Sequence, residues 1–333
     1  MKKESRGLFG RPPKPFQLIP AALMLLLASC SMIPALRVDI PTAAISVDDS
    51  AAESNLTGLA ARYVDVPYAT VSEAQRLDVY LPEGEGPFPL VVVIHGGGFE
   101  TGDKAGRNEK ERTQLLISQG FAVASVNYRL SNEAIYPAQI QDVKTAVRFL
   151  RSKADEYNLD PERFGAWGAS AGGTLAALLG TTCGVEELEG ARLGYAEYSS
   201  CVSVVVDWFG LVDLLAMDAQ FEGTRCEGGH NDRDSAESRL VGAPIQKVPK
   251  RVAKTNPMNY LSDDDAAFFI QHGSRDCRVP PIQSQLFAEA LIETIGEEKV
   301  YYEEIEGVGH GGVEFRTDEN YQKVLDFLNR FLS

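Results

Sequence analysis

The chain has 333 residues, 44% of them hydrophobic, with 47 acidic against 32 basic side chains and a net charge of −15. That length and apolar content suffice for one full core, so neither a disordered chain nor a disulfide-dependent miniprotein is expected. The acidic balance disfavours nucleic acid and anionic membrane surfaces as partners.

The charge is not evenly spread along the chain. Lys2, Lys3, Arg6, Arg11 and Lys14 precede an apolar run from Leu18 to Leu27, followed by Ala28-Ser29-Cys30. Basic, then apolar, then small is the pattern of a secretory signal. The apolar run is short for a membrane span. Leu27-Ala28-Ser29-Cys30 resembles the bacterial lipobox, which implies a signal peptide over 1–29 and lipidation of Cys30. Ser31 is compatible with the outer membrane, so an exported protein held to the envelope only by lipid is expected. Residues 1–29 carry five basic and one acidic side chain, which leaves −19 on the rest. Residues 30–58 are rich in Ala, Ser, Pro and Asp and read as a flexible tether. A single catalytic domain is expected over 59–333.

Pro89 to Ile94 is an unbroken apolar run and reads as a buried strand. It leads into His95-Gly96-Gly97-Gly98-Phe99. Glycines there let backbone N–H groups approach and converge on one point, as a developing oxyanion requires. From Pro137 to about Tyr157 a helix is expected, because Ile140, Val143, Val147 and Leu150 recur at three- and four-residue spacing. That stripe belongs to the core. Arg163 to Trp167 reads as a further strand, then Gly168-Ala169-Ser170-Ala171-Gly172, then a helix-like run from Gly173 to Leu179. Strand, Gly-x-Ser-x-Gly, helix is the pattern of a nucleophile elbow, in which the serine sits on a strained turn with Oγ pushed clear of the sheet. The N–H groups of Gly97, Gly98 and Ala171 are the candidate oxyanion donors.

A serine hydroxyl needs a base to take its proton. The chain has four histidines. His95 belongs to the glycine loop, His272 closes a strand where a structural hydrogen bond is expected, and His230 lies in a polar stretch that reads as a surface loop. His310, in Val308-Gly309-His310-Gly311-Gly312 after the strand-like Val300 to Ile305, is the candidate base. The acid should fall between serine and histidine. Asp276, in Gln271-His-Gly-Ser-Arg-Asp276, is favoured by its position after a strand; Asp207 and Asp213 are the rivals. The segment between Gly210 and Met258 is expected to lie partly over the pocket, with Glu222 to Asp234 as a wet rim.

These motifs, with Val126-Asn-Tyr-Arg-Leu130, Tyr136 to Asp142, Val206-Asp-Trp-Phe-Gly210 and Ser235 to Leu240, resemble one group. It is the esterase/lipase group that includes acetylxylan and feruloyl esterases of the BD-FAE type, within the hormone-sensitive-lipase-like set. The resemblance covers roughly residues 60 to 333. It implies an α/β-hydrolase fold, with a mostly parallel twisted sheet, helices on both faces and a small lid. It also implies a serine esterase acting on short-chain esters, acetyl or feruloyl groups on carbohydrate, with no metal or cofactor. Its partners would be small-molecule or oligosaccharide esters. Cys277 departs from the group, where proline is common. A prolyl-oligopeptidase-type peptidase shares the fold and triad, but the chain has no propeller-like segment. A non-catalytic binding protein is the other alternative.

An exported chain with four further cysteines invites disulfides. In this fold Cys183 and Cys201 would lie at the floor of the sheet, and Cys226 and Cys277, each expected to follow a strand, on the active-site face. Cys183–Cys201 and Cys226–Cys277 are therefore the expected pairs.

Overall fold

The computed structural model describes residues 61–333. The signal-like segment, Cys30 and the expected tether lie outside the described residues, as do 59 and 60 of the expected catalytic domain. Among the described residues no helix is long and apolar enough to cross a membrane.

Strands of continuous branched or apolar residues suit a sheet buried on both faces. Among the described residues there are eight strands, β1 (Tyr63–Pro67), β2 (Arg76–Tyr80), β3 (Phe88–Ile94), β4 (Ala122–Val126), β5 (Leu159–Ala169), β6 (Val204–Trp208), β7 (Ala267–Gly273) and β8 (Val300–Ile305); the central ones follow that logic, and the edge strands β1 and β8 are mostly half-buried or exposed. They form one sheet in the order β1-β2-β4-β3-β5-β6-β7-β8. The β1–β2 and β2–β4 pairs are antiparallel, and the six strands β3 to β8 run parallel. This is the expected fold class, a mostly parallel sheet with helices on both faces. Along β3, Leu90, Val92 and Ile94 enter one core, and Val91 and Val93 enter the other. Every side chain of β4, β6 and β7 is buried.

The helices of five residues or more are α1 (Arg107–Ser118), α2 (Ala138–Ser152), α3 (Ala171–Thr181), α4 (Met217–Phe221), α5 (Ala236–Val241), α6 (Ile282–Ile295) and α7 (Asp318–Leu332). Leu116 of α1 and Val324, Leu325 and Leu328 of α7 fill one face's core. The other core takes Ile140, Val143, Val147 and Leu150 of α2, Leu175 of α3, and Phe287 and Leu291 of α6. Each residue of the α2 stripe is fully buried. That helix stops earlier than its pattern predicts. Lys153 leaves helical geometry at φ −107° and ψ 13°, one separate turn follows at Ala154–Tyr157, and Asn158 closes it in the left-handed region. Asn158 tolerates that region better than a branched residue would.

Disulfides join Cys183 to Cys201 and Cys226 to Cys277, with Cα–Cα separations of 5.0 and 5.1 Å. Cys226 does not directly follow a strand, contrary to expectation. It follows α4, in which Met217 and Phe221 are buried.

Candidate active site

Parallel strands present their C-terminal ends on one edge, and open α/β sheets bind ligands there. The segments after β3, β5, β6, β7 and β8 all meet at that edge. They line one cleft of about 830 Å³ with His95, Gly97, Gly98, Ser170, Phe209 and His310 on its walls.

Ser170 follows the last residue of β5 and precedes α3. Its φ is +56° with ψ −127°, a conformation that costs a non-glycine residue about 1–3 kcal/mol. The neighbours must be small. A Cβ at Gly168 would collide with the backbone of Gly172, and one at Gly172 with the carbonyls of Ile94 and His95. This close approach of the β3 and β5 ends puts the serine beside the glycine loop.

In that loop Gly97 and Gly98 have φ +109° and +62°, and Phe99 has φ +62°. The carbonyl of Gly97 accepts from the N–H groups of Glu100 (3.0 Å) and Thr101 (3.1 Å), which turns the loop tightly. The N–H groups of Gly97, Gly98 and Ala171 donate no hydrogen bond among the described residues. His95 is a packing residue. Its ring stacks on Tyr128 at 4.4 Å, its Nδ1 lies 2.8 Å from the Gly96 carbonyl, and burial pushes its pKa down.

His310 and Asp276 meet through the loops after β8 and β7. Nδ1 of His310 donates to Oδ2 of Asp276 at 2.6 Å. Asp276 is buried, with Oδ1 accepting from the N–H groups of Arg278 (2.7 Å) and Val279 (3.1 Å). Burial alone would raise this carboxyl's pKa. The hydrogen bonds from His272 and His310, with the charges of both, outweigh it and hold the group well below the usual carboxylate range. Since Nδ1 of His310 carries the proton facing Asp276, Nε2 is left as the basic nitrogen. Neither that Nε2 nor Oγ of Ser170 makes a hydrogen bond among the described residues. Such contacts often tighten only with substrate bound. The Phe209 ring packs on His310 at 4.5 Å and steadies its plane.

The rival carboxylates are elsewhere. Asp213 accepts from the Leu215 N–H at 3.0 Å and hydrogen-bonds to neither His272 nor His310. Asp207 is buried behind the elbow, where Oδ1 accepts from the Gly210 N–H at 3.0 Å and Oδ2 has no partner among the described residues. Burial pushes its pKa up to about 7. A raised carboxyl is neutral in the fold while the unfolded chain ionises, so its cost begins near pH 4, grows with pH, and levels off above about 7. Wild-type thermal stability should therefore fall more between pH 4 and 7 than that of Asp207→Asn. Parallel thermal melts of both proteins across that range check this.

Two features escaped the sequence reading. His272 makes the structural hydrogen bond expected of it, but its partner was not foreseen: Nε2 lies 3.1 Å from the same Asp276 oxygen that His310 uses. His230 is not a simple surface residue. Its side chain is 17% exposed, its Nδ1 lies 2.9 Å from Oε1 of Glu237, and both residues line the cleft. The spacing of seven residues between His230 and Glu237 spans the cap of α5 and has no local signature. The cap comes from Ser235, whose Oγ accepts from the Ser238 N–H at 3.0 Å. This lid helix seats on the glycine loop. A Cβ at Gly98 would touch Ala236, and Arg239 pairs with Glu100.

A mostly parallel eight-stranded sheet, with a serine on a strained strand-to-helix turn, defines an α/β-hydrolase of the esterase/lipase group. The BD-FAE family profile matches residues 77–291, and the chain belongs to that family. Esterase LipC of Mycobacterium tuberculosis is 30% identical over 240 residues, covering 72% of this chain and 57% of that protein. Esterase LipQ of the same organism is 26% identical over 81% of this chain and 62% of its own length. The chain thus spans under two thirds of these relatives. Among solved structures, a truncated carbohydrate esterase from gut microbiota is 34% identical with a TM-score of 0.73, covering 80% of this chain and 95% of that one. A thermophilic esterase of Thermogutta terrifontis, Est2, is 25% identical with a TM-score of 0.62, covering 84% and 92%.

Proposed function

We propose that the chain is a serine carboxylic-ester hydrolase acting on short acyl esters, acetyl or feruloyl, of carbohydrate. The observation that carries this reading is the 2.6 Å contact between His310 Nδ1 and Asp276 Oδ2, in the cleft that Ser170 also lines. Nε2 of His310 takes the proton from Ser170 Oγ as the oxygen attacks the ester carbonyl. The carbonyl oxygen becomes negative and is met by the N–H groups of Gly97, Gly98 and Ala171. His310, now an imidazolium held by Asp276, gives its proton to the departing alcohol. Water then repeats the attack on the acyl-serine, with His310 again as base, and frees the acid.

Supporting the carbohydrate part are the 34% identity to the gut-microbiota carbohydrate esterase and an exposed, charged lid segment from Glu222 to Asp234. Long acyl chains would gain little burial against such a rim. The test is kcat/KM along acetyl, butyryl, octanoyl and feruloyl esters of one alcohol. Acetyl or feruloyl should lead. A steady rise from acetyl to octanoyl would instead indicate a lipase. The pattern of residues 2–30 supports export with a lipid on Cys30, for which the N-terminal peptide's mass is the measurement.

A further inference from the structure

The cleft's rim carries two donors that the reaction above does not use. Arg278 lines the cleft beside Val279, and its guanidinium makes no hydrogen bond among the described residues. The other arginines on the cleft wall each have a carboxylate partner, although the buried Nε and Nη1 of Arg112 have none among the described residues. Arg112 holds Glu109 at 2.6 Å and Arg316 holds Glu111 at 3.2 Å. Among the described residues Arg278 is therefore the one lining arginine without a carboxylate partner. His230 lines the same cleft with Nδ1 on Glu237, and its Nε2 makes no hydrogen bond among the described residues.

The two are built onto one braced rim. The Cys226–Cys277 disulfide joins their segments, next to Arg278 and four residues before His230. Arg225 donates to the Arg275 carbonyl at 2.9 Å across the same seam. The Asp218 carboxylate accepts from the N–H groups of Gly229, His230 and Asn231, each at 2.9 Å. The Phe221 ring stacks on the imidazole at 5.8 Å. Arg278 is fixed from below, because its backbone N–H is one of the donors to Asp276. The backbone of a rim held in this way loses little conformational entropy on binding.

We propose that His230 and Arg278 form a carboxylate-binding subsite, so that the enzyme selects acyl esters of carbohydrate bearing a uronic acid. This rests on the ester-hydrolase reading above. A planar guanidinium matches a carboxylate in two parallel hydrogen bonds, and an imidazolium N–H supplies a third. An acetyl group has no carboxylate, so the anion must sit on the alcohol part of the substrate. The protein's charge of −15 repels anions at long range. At the cleft the Arg278 guanidinium, which has no carboxylate partner among the described residues, offsets that repulsion, and His230, paired with Glu237 through Nδ1, keeps Nε2 free to donate.

The groups facing His230 also set a pH dependence. Burial lowers the imidazole's pKa, but the hydrogen bond and charge of Glu237 on α5 and the charge of Asp218 on α4 raise it further, for a net rise. Arg278 and His310 share the cleft with it. The imidazolium therefore persists to higher pH than in a free histidine, and its charge is lost as pH rises through that raised value.

The experiment compares kcat/KM on an acetylated uronic-acid oligosaccharide with the same oligosaccharide after its carboxyl is reduced to an alcohol. A ratio cancels pH effects on the chemical step, which both substrates share. The wild type should favour the acid about tenfold, as expected of a partly exposed, charge-assisted contact. Arg278→Gln should bring the ratio near unity, and His230→Gln should lower it several-fold. In the wild type the ratio should fall as pH rises, and in His230→Gln it should be flat. A wild-type ratio at or below one, or one that neither substitution moves, overturns the subsite. If neither oligosaccharide is turned over while p-nitrophenyl acetate is hydrolysed in a Ser170-dependent way, the subsite fails and the ester reading stands. If no ester is hydrolysed, both fail.

Discussion

Ser170→Ala should lower kcat on any accepted ester by about 10⁶-fold while the protein still folds. The alanine keeps the elbow's backbone and removes only Oγ, which makes no hydrogen bond in the free protein among the described residues. Melting temperature should therefore move little. His310→Ala should lose a similar factor, and the double variant little more, because a nucleophile without its base gains nothing from the rest of the triad. Steady-state kinetics on an acetyl ester measures this. Turnover within tenfold of wild type in Ser170→Ala would move the chemistry to another group.

The acid should show the next largest effect. Asp276→Asn should cut kcat by about 10⁴-fold, the size seen when a triad carboxylate becomes an amide. Asparagine offers an N–H where His310 Nδ1 needs an acceptor, so the imidazole turns its proton toward the serine and stops acting as a base. His272 sharpens the effect, since its Nε2 contacts the same carboxylate oxygen at 3.1 Å and would face the same misplaced donor. Asp213→Asn should stay within a few-fold of wild type, since that carboxylate serves the Leu215 N–H. The reverse ranking, measured side by side on one ester, would assign the acid to the segment after β6.

What was legible in the chain was local or ordered. The Gly-x-Ser-x-Gly turn declares itself because a positive φ at Ser170 leaves no room for side chains at Gly168 and Gly172. The sheet is legible from unbroken apolar runs such as Pro89 to Ile94. His310 stands out by chain order among only four histidines. The rest depends on contacts that no local pattern encodes. The carboxylate of Asp276 accepts from two histidines because β7 sends its last turn back under its own end, which spacing alone does not reveal. His230 looked solvated because its neighbours are polar and exposed. Its ring is drawn inward by Phe221 and by Glu237, on the far side of a helix cap. Asp207 read as a candidate acid because it ends a strand, and only the packing of Gly173 and Gly210 around it puts it behind the elbow.

The central claim, that Ser170 is the nucleophile of an acyl-enzyme, is tested most directly by titration with a serine-reactive organophosphate. Activity should fall to zero at one equivalent of reagent per chain. Peptide mass spectrometry should find the adduct on Ser170, and Ser170→Ala should take up none. An adduct on a different residue, or full inhibition without any covalent mass on the Gly168–Gly172 segment, would contradict it.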